Sequence, residues 1–98
     1  MSYKIIVSPR AQEEIEESYD FYAGRNISSA TQFISSLTQT YKILSQNPYF
    51  QIVYKNIRAI NIKKYPFALF FIIDESNSTV RVLSCFHTSR NPINRPLV

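Results

Sequence analysis

The chain has 98 residues, 45% of them hydrophobic and 14% aromatic, with a single glycine. That is about one domain's worth of core-forming sequence and excludes a disordered or low-complexity polypeptide. The longest apolar run, Phe67 to Ile73, is far short of the roughly 20 residues of a membrane-spanning helix. The one cysteine, Cys85, can close no internal disulfide and hold no structural zinc alone, so a reducing cytoplasmic setting is expected. The net charge of +4 is unevenly spread. Residues 1–50 carry four basic and five acidic side chains, and residues 51–98 carry seven and two. A one-sided basic surface favours a polyanion or an acidic protein partner.

In chain order, Tyr3 to Val7 is a short β-branched run closed by Ser8-Pro9 and reads as a first strand. Ser8 is a helix N-cap and Pro9 suits the first helical position, where its missing N–H costs nothing. Ala11, Ile15, Tyr19 and Tyr22 then share one face of a helix ending near Gly24, with the acidic run around Ile15 on its solvated face. A second helix is predicted from about Ser29 to Ser45, with Ala30, Phe33, Ile34, Leu37, Tyr41 and Leu44 as its apolar stripe and Asn47-Pro48 as its stop. The short connection predicts an antiparallel helical hairpin.

From residue 51 the pattern changes to short β-rich runs: Gln51 to Tyr54, Ile57 to Lys64, Phe67 to Ile73 and Thr79 to Phe86. Phe67 to Ile73 is apolar at both parities, as in a central strand covered on both faces. The DESNS segment reads as a hairpin turn. Simple alternation groups Val80, Val82 and Phe86 on one face of the last strand, and Arg81, Leu83 and Cys85 on the other. The segment from Asn91 to Val98, with Pro92 and Pro96, is expected to be extended. The whole is a single α+β domain over residues 1–98, in the order β-α-α-β-β-β, with the hairpin packed on a sheet of about four strands.

The candidate chemistry lies in the second half. Arg58 and Lys64 share a parity with Ile60 and Ile62 on one predicted strand, and Arg81 shares a parity with His87 on the last. Cations on a sheet with aromatics suit RNA, and equally suit a soluble sheet with blunted edges. His87, the only histidine, is either a general acid or base among cations or a hydrogen-bonding residue at a strand end. Cys85 reads as a small core residue. There is no zinc-ligand spacing, nucleophile triad or phosphate-binding glycine loop, so no metal or cofactor is expected.

The opening YKIIVSPRAQEEIEESYDFYA, then SQNPYF, NIRAINIKKYPFALFFIIDE and VRVLSCFHTSRNP, taken in this order, resemble the RelE/ParE superfamily of bacterial toxins from toxin–antitoxin modules, also called plasmid stabilisation proteins. The most specific pieces are the strand with Ser-Pro and an acidic helix, the Arg58 strand entering a Tyr-Pro-Phe turn, and the His-x-x-Arg-x-Pro ending at His87, Arg90 and Pro92. The resemblance implies a growth-arresting toxin neutralised by a cognate antitoxin, with no membrane partner. RelE-like members cut messenger RNA on the ribosome, and ParE-like members inhibit DNA gyrase without such an active site. In a RelE-like reading, Arg58, Lys63, Lys64, Arg81, His87 and Arg90 are the catalytic candidates. In either reading Arg58, Lys63, Lys64, Arg81, Arg90 and Arg95 are candidates for binding the target or the antitoxin. No tyrosine follows Tyr65, and Phe67 and Phe71 stand where many relatives have tyrosines. These departures place the expectation on the ParE-like side, as a gyrase inhibitor, with a ribosome-dependent endoribonuclease as the alternative.

Overall fold

The structure is a computed structural model and describes residues 2–89. Arg90, Arg95 and the proline-containing segment from Asn91 lie outside the described residues. Strand β1 (Lys4–Val7) leads into helices α1 (Pro9–Arg25) and α2 (Ile27–Gln46). Strands β2 (Ile52–Tyr54), β3 (Ile57–Asn61), β4 (Phe67–Asp74) and β5 (Thr79–His87) follow. They form a five-stranded sheet in the order β1-β5-β4-β3-β2. β1 runs parallel to β5, and the other neighbours are antiparallel. The fold is thus the expected α+β arrangement of a helical hairpin on a sheet, with the weakly marked run before Tyr54 supplying a fifth, edge strand.

The hairpin turns on one residue rather than on the four-residue turn expected. Asn26 is extended, donates its N–H to Tyr22 O at the end of α1, and caps α2 by accepting the Ser29 N–H at 2.7 Å. A residue that closes one helix and opens the next leaves no loop to pattern. Near this tip Tyr22 meets Phe33, while the far end of α2 accepts the Tyr3 N–H on Ser45 O, so the helices run antiparallel.

The buried stripes differ by one position each from those expected. In α1, Ser18 is buried with Ala11 and Ile15, and Tyr19 is only partly covered. In α2, Thr40 is buried and Ile34 is exposed. Both hydroxyls donate to the carbonyl four residues earlier, Glu14 for Ser18 and Ser36 for Thr40, and are therefore satisfied when buried. The main core sits between the helices and the sheet, with Phe33, Leu37 and Leu44 against Ile62, Leu69, Phe71, Val80 and Val82. On the other side of the sheet Ile57, Phe70 and Leu83 form a second cluster with Val53, Ala59, Ile72 and Phe86. The central strand β4 therefore contributes to clusters on both faces, as its apolar sequence requires.

One irregularity controls which side chains point where. Opposite Phe70 and Phe71 on β4 stand Ser84 and Val82, so Leu83 is an inserted residue and β5 is bulged there. The alternation is shifted by one beyond the bulge. Cys85 and His87 share the helix side with Val80 and Val82, whereas Phe86 joins Leu83 on the opposite side. The bulge breaks the ladder, and the polar groups around it are met by the start of α1. Ser8 donates its N–H to Val82 O at 2.9 Å and its hydroxyl to Leu83 O at 3.1 Å, while its Oγ accepts the Ala11 N–H as the helix cap. Glu14 Oε1 accepts the buried Ser84 hydroxyl at 2.8 Å and the Cys85 N–H at 3.0 Å.

Glu14→Ala is expected to lower stability by about 1–3 kcal/mol, because a buried hydroxyl and an amide lose their acceptor. Glu14→Gln retains an acceptor oxygen and should lose less. Urea unfolding of both variants checks this, and equal losses would show that the carboxylate's bonds are not what holds the bulge.

Candidate functional site

The bulge and the turns distribute the candidate side chains rather than gathering them. Arg58 lies on the helix side of β3, opposite Phe71. Its Nη1 donates to Phe50 O at 2.7 Å, and the guanidinium sits 5.3 Å from the centre of the Tyr49 ring. Tyr49 in turn donates its hydroxyl to the Glu75 carboxylate and stands 3.0 Å from the Tyr3 hydroxyl. The bond to Glu75, then that to Tyr3, raises the Tyr49 pKa well above the ordinary tyrosine value. A cleft of about 350 Å³ lies here, lined by Tyr49, Asn56, Arg58, Ile73, Glu75 and Ser76. Arg58 thus anchors the segment after α2 to β3 through a hydrogen bond and a stacked ring.

Lys63 and Lys64 are not on β3, which ends at Asn61. Ile62 donates to Phe67 O at 2.8 Å and Tyr65 to Ile62 O at 3.1 Å, closing a turn in which Lys64 takes a left-handed conformation, φ 73°. The expected shared face of Arg58 and Lys64 therefore fails, because the chain leaves the strand before Lys64 is reached. The two lysines border a cleft of about 270 Å³ with Asn61 and with Ser36, Gln39 and Ile43 of α2.

Arg81 is exposed and paired opposite Ile72, on the side of the sheet away from the helices. Its charge helps to hold the Asp74 carboxyl below the usual range, after the larger effects of hydrogen bonds from the Asn77 and Ser76 side chains. His87 lies on the opposite face, edge-on to Phe67 at 5.1 Å between ring centres. The expected shared face of Arg81 and His87 fails because Leu83 adds one residue between them. His87 Nδ1 accepts the Ser89 N–H at 3.2 Å, which leaves the proton of the neutral ring on Nε2. The imidazole lines a cleft of about 370 Å³ with Glu17, Ser18, Phe21, Tyr22, Pro66 and Phe67.

An aromatic cluster forms the floor beside this cleft. Tyr22, Phe33 and Tyr65 meet pairwise at 5.3 to 5.4 Å, and Phe67 lies 5.7 Å from Phe33. Each such pair adds roughly 0.5–1.5 kcal/mol beyond burial, so the turn bearing Lys63 and Lys64 is tied to the hairpin tip. Glu14 is the polar residue that sequence reasoning passed over. It sits in an acidic run that otherwise faces solvent, and only its position one turn from Ala11 and next to Ile15 places it toward the sheet.

Cys85 offers no nucleophile. Burial, and then the nearby Glu14 charge, push its thiol up to about 12, while burial and then Cys85 push the Tyr41 hydroxyl up to about 12. Among the described residues no group of three or more His, Cys, Asp or Glu could hold a metal. No described helix is long and apolar enough to cross a membrane.

The family described as ParE toxin of type II toxin-antitoxin system, parDE, matches residues 5–92. The chain belongs to the ParE toxin family. No curated protein sequence matches this ParE-family chain significantly. Among solved structures, it is similar to a chain of the chromosomal ParDE toxin–antitoxin system of P. aeruginosa, with a TM-score of 0.76 and 14% identity over 90% of this chain and 98% of that one. It is also similar to the isolated E. coli RelE toxin, with a TM-score of 0.64 and 14% identity over 94% and 90% of the two chains. A chain of the RelBE2 toxin–antitoxin complex of Mycobacterium tuberculosis gives a TM-score of 0.57 and 15% identity over 89% and 92%. At these identities the likeness is one of fold.

The raised pKa values of Cys85 and Tyr41 have a pH consequence. Folding favours their neutral forms, so this stabilisation is complete below the unfolded values of 9.0 and 10.0 and is lost as pH rises towards about 12. The urea midpoint should fall between pH 8 and pH 11, and less steeply in Cys85→Ala. An unchanged slope in that variant would contradict the assignment to the thiol.

Proposed function

We propose that this toxin acts by binding a protein, DNA gyrase, rather than by cutting RNA, and that a cognate antitoxin neutralises it. One observation carries the choice: Lys63 and Lys64 border a cleft against α2, His87 lines a separate cleft against α1, and Arg81 stands on the far side of the sheet. Cleavage through a ribose hydroxyl needs a base, an acid and a cation within hydrogen-bond reach of one phosphate. The described cations and the imidazole do not share such a position. Arg58, the best-placed cation of β3, is already bonded to Phe50 O and stacked on Tyr49.

The Tyr49 hydroxyl, the obvious substitute for a tyrosine near the end of the chain, donates to Glu75 and has a raised pKa. It is therefore poorly suited to lose a proton near neutrality. The family match and the similarity to a chain of a ParDE system support the same side. Two of the similar structures are of toxin–antitoxin systems or complexes, which supports an antitoxin as partner.

Induced without its antitoxin, the chain is expected to arrest growth and to alter DNA supercoiling while translated messages stay intact. His87→Ala should arrest growth as well as the parent. RNA end-mapping and plasmid topology from the same cultures provide the check. Cuts in translated messages that disappear in His87→Ala would overturn the proposal in favour of a ribosome-dependent endoribonuclease.

A further inference from the structure

The cleft beside His87 is a feature that the toxin reading leaves without a use. Glu17, Ser18, Phe21 and Tyr22 are spaced so that all four share one face of α1, and Pro66, Phe67 and His87 close the other wall from the sheet. Its volume of about 370 Å³ falls within the roughly 300–1,000 Å³ of small-ligand sites. It is also more enclosed than the clefts beside Arg58 and beside Lys63 and Lys64.

Its charge differs from theirs. Among the described residues no lysine or arginine lines this cleft, and its one charged side chain is the Glu17 carboxylate. The ion pair found among the described residues joins Arg10 to Glu14, so Glu17 meets no described cation at ion-pair distance. Glu13, Glu16 and Asp20 on the same helix add to the negative potential around it. A site of this sign repels phosphate and other anions and attracts a cation.

The walls narrow the class further. Phe21 and Phe67 both lie edge-on to Tyr22, at 5.4 and 6.4 Å between ring centres, so three aromatic rings border the cleft. Phe21 is 56% exposed, and the Arg25 guanidinium stands 5.0 Å from the centre of its ring without itself lining the cleft. The same ring thus already attracts a planar cation from within the chain. The Ser18 hydroxyl gives its hydrogen to Glu14 O and can only accept from a ligand, as the Glu17 carboxylate does. Acceptors beside aromatic rings, one of them charged, select a ligand that is cationic, flat and rich in N–H groups. A guanidinium has all three properties. Its fork donates two parallel bonds to a carboxylate and its weakly hydrated face stacks on rings, whereas an ammonium is a compact, strongly hydrated point charge.

We infer that this cleft binds a guanidinium group, held by the Glu17 carboxylate and stacked among Phe21, Tyr22 and Phe67. The Nε2–H of His87 is a donor for a carbonyl beside that group. The group is carried by a free small molecule or by an arginine side chain of another protein, and the inference holds for either target of the toxin.

The test follows amide chemical shifts of the isotope-labelled full chain during titration with ethylguanidinium chloride, with acetyl-Gly-Arg-Gly-amide and with the corresponding lysine peptide. Saturable shifts are expected at residues 17–22, 67 and 87, with the lysine peptide about fivefold weaker than the arginine peptide. Glu17→Gln should weaken binding about tenfold, and Phe21→Leu about threefold. Glu13→Gln removes the same charge from the same helix outside the cleft and should leave binding unchanged. All three positions are exposed, and an unchanged thermal midpoint of each variant shows that the fold is kept. Tighter binding of the arginine peptide than of ethylguanidinium assigns the site to a protein's arginine, and equal or weaker binding assigns it to a small molecule. No saturable shift, equal binding of the lysine peptide, an equal loss in Glu13→Gln, or saturation of this cleft by inorganic phosphate overturns the inference. Growth arrest and plasmid topology test the toxin reading separately, so either can fail alone.

Discussion

The interaction on which the arrangement of this molecule depends is the seating of a bulged strand on the start of a helix. An inserted residue in β5 leaves ladder groups without their regular partners, and buried groups of that kind cost about 1–3 kcal/mol each when unpaired. Here the deficit is met by the first turns of α1. The Ser8 hydroxyl serves the helix and the bulge at once, accepting from Ala11 N–H and donating to Leu83 O, and the Glu14 carboxylate takes Ser84 and Cys85. Helix α1 is therefore positioned by directional bonds as well as by its apolar stripe. Since α2 follows after a single residue, the position of the whole hairpin is set by the same few contacts.

The bulge also decides the chemistry that the sheet can display. Without Leu83 as an extra residue, Arg81 and His87 would lie on one face, two positions in a row of candidates for phosphate binding. With it, the imidazole is turned under the helical hairpin against Phe67, and the guanidinium is left on the other side. The second cluster, Phe70 with Leu83 and Phe86, gives that other side of the sheet an apolar centre. The consequence is a scaffold whose described cations are dispersed, with Arg58 tied to Phe50 O, Lys63 and Lys64 in a turn beside α2, and Arg81 on the far side of the sheet. A surface of this kind recognises a partner by shape and dispersed charge, which suits a protein target better than a reaction at one phosphate.

Much of the fold was legible in the residues because each element had a local physical signal. Ser8-Pro9 marks a helix start, the two apolar periodicities mark the helices, and Phe67 to Ile73 reads as a central strand from its lack of alternation. The turn from Asp74 is capped by its own side chain, as the composition of that segment indicates. What was not legible depended on tertiary contacts. A bulge has no sequence mark when Leu83 is as good a strand residue as its neighbours. The inward role of Glu14 is hidden among four other acidic residues on the same helix, and the burial of Ser18 and Thr40 becomes possible only once their hydroxyls bond back to the helix. The candidate site failed to gather for the same reason. Strand parity was read correctly up to the point where the chain bulged or turned, and Lys64 and His87 both lie beyond such a point.

The helical hairpin shows how one fold separates two demands on its surface. A toxin that is neutralised by one partner and acts on a separate target needs surface that is available to each, and these two helices are built from different materials. Helix α1 is committed inward by Ser8, Glu14 and Tyr22, and its outer side is acidic. Helix α2 is held chiefly by apolar packing of Phe33, Leu37 and Leu44, and its outer side carries no carboxylate. The side-chain hydrogen bonds that seat the hairpin on the bulged strand are made by Ser8 and Glu14, on the α1 side, while α2 is tied to the start of the sheet by the Tyr3 N–H on Ser45 O. The outer side of α2 is also physically separate from the far side of the sheet, with Arg81 and the cluster around Phe70.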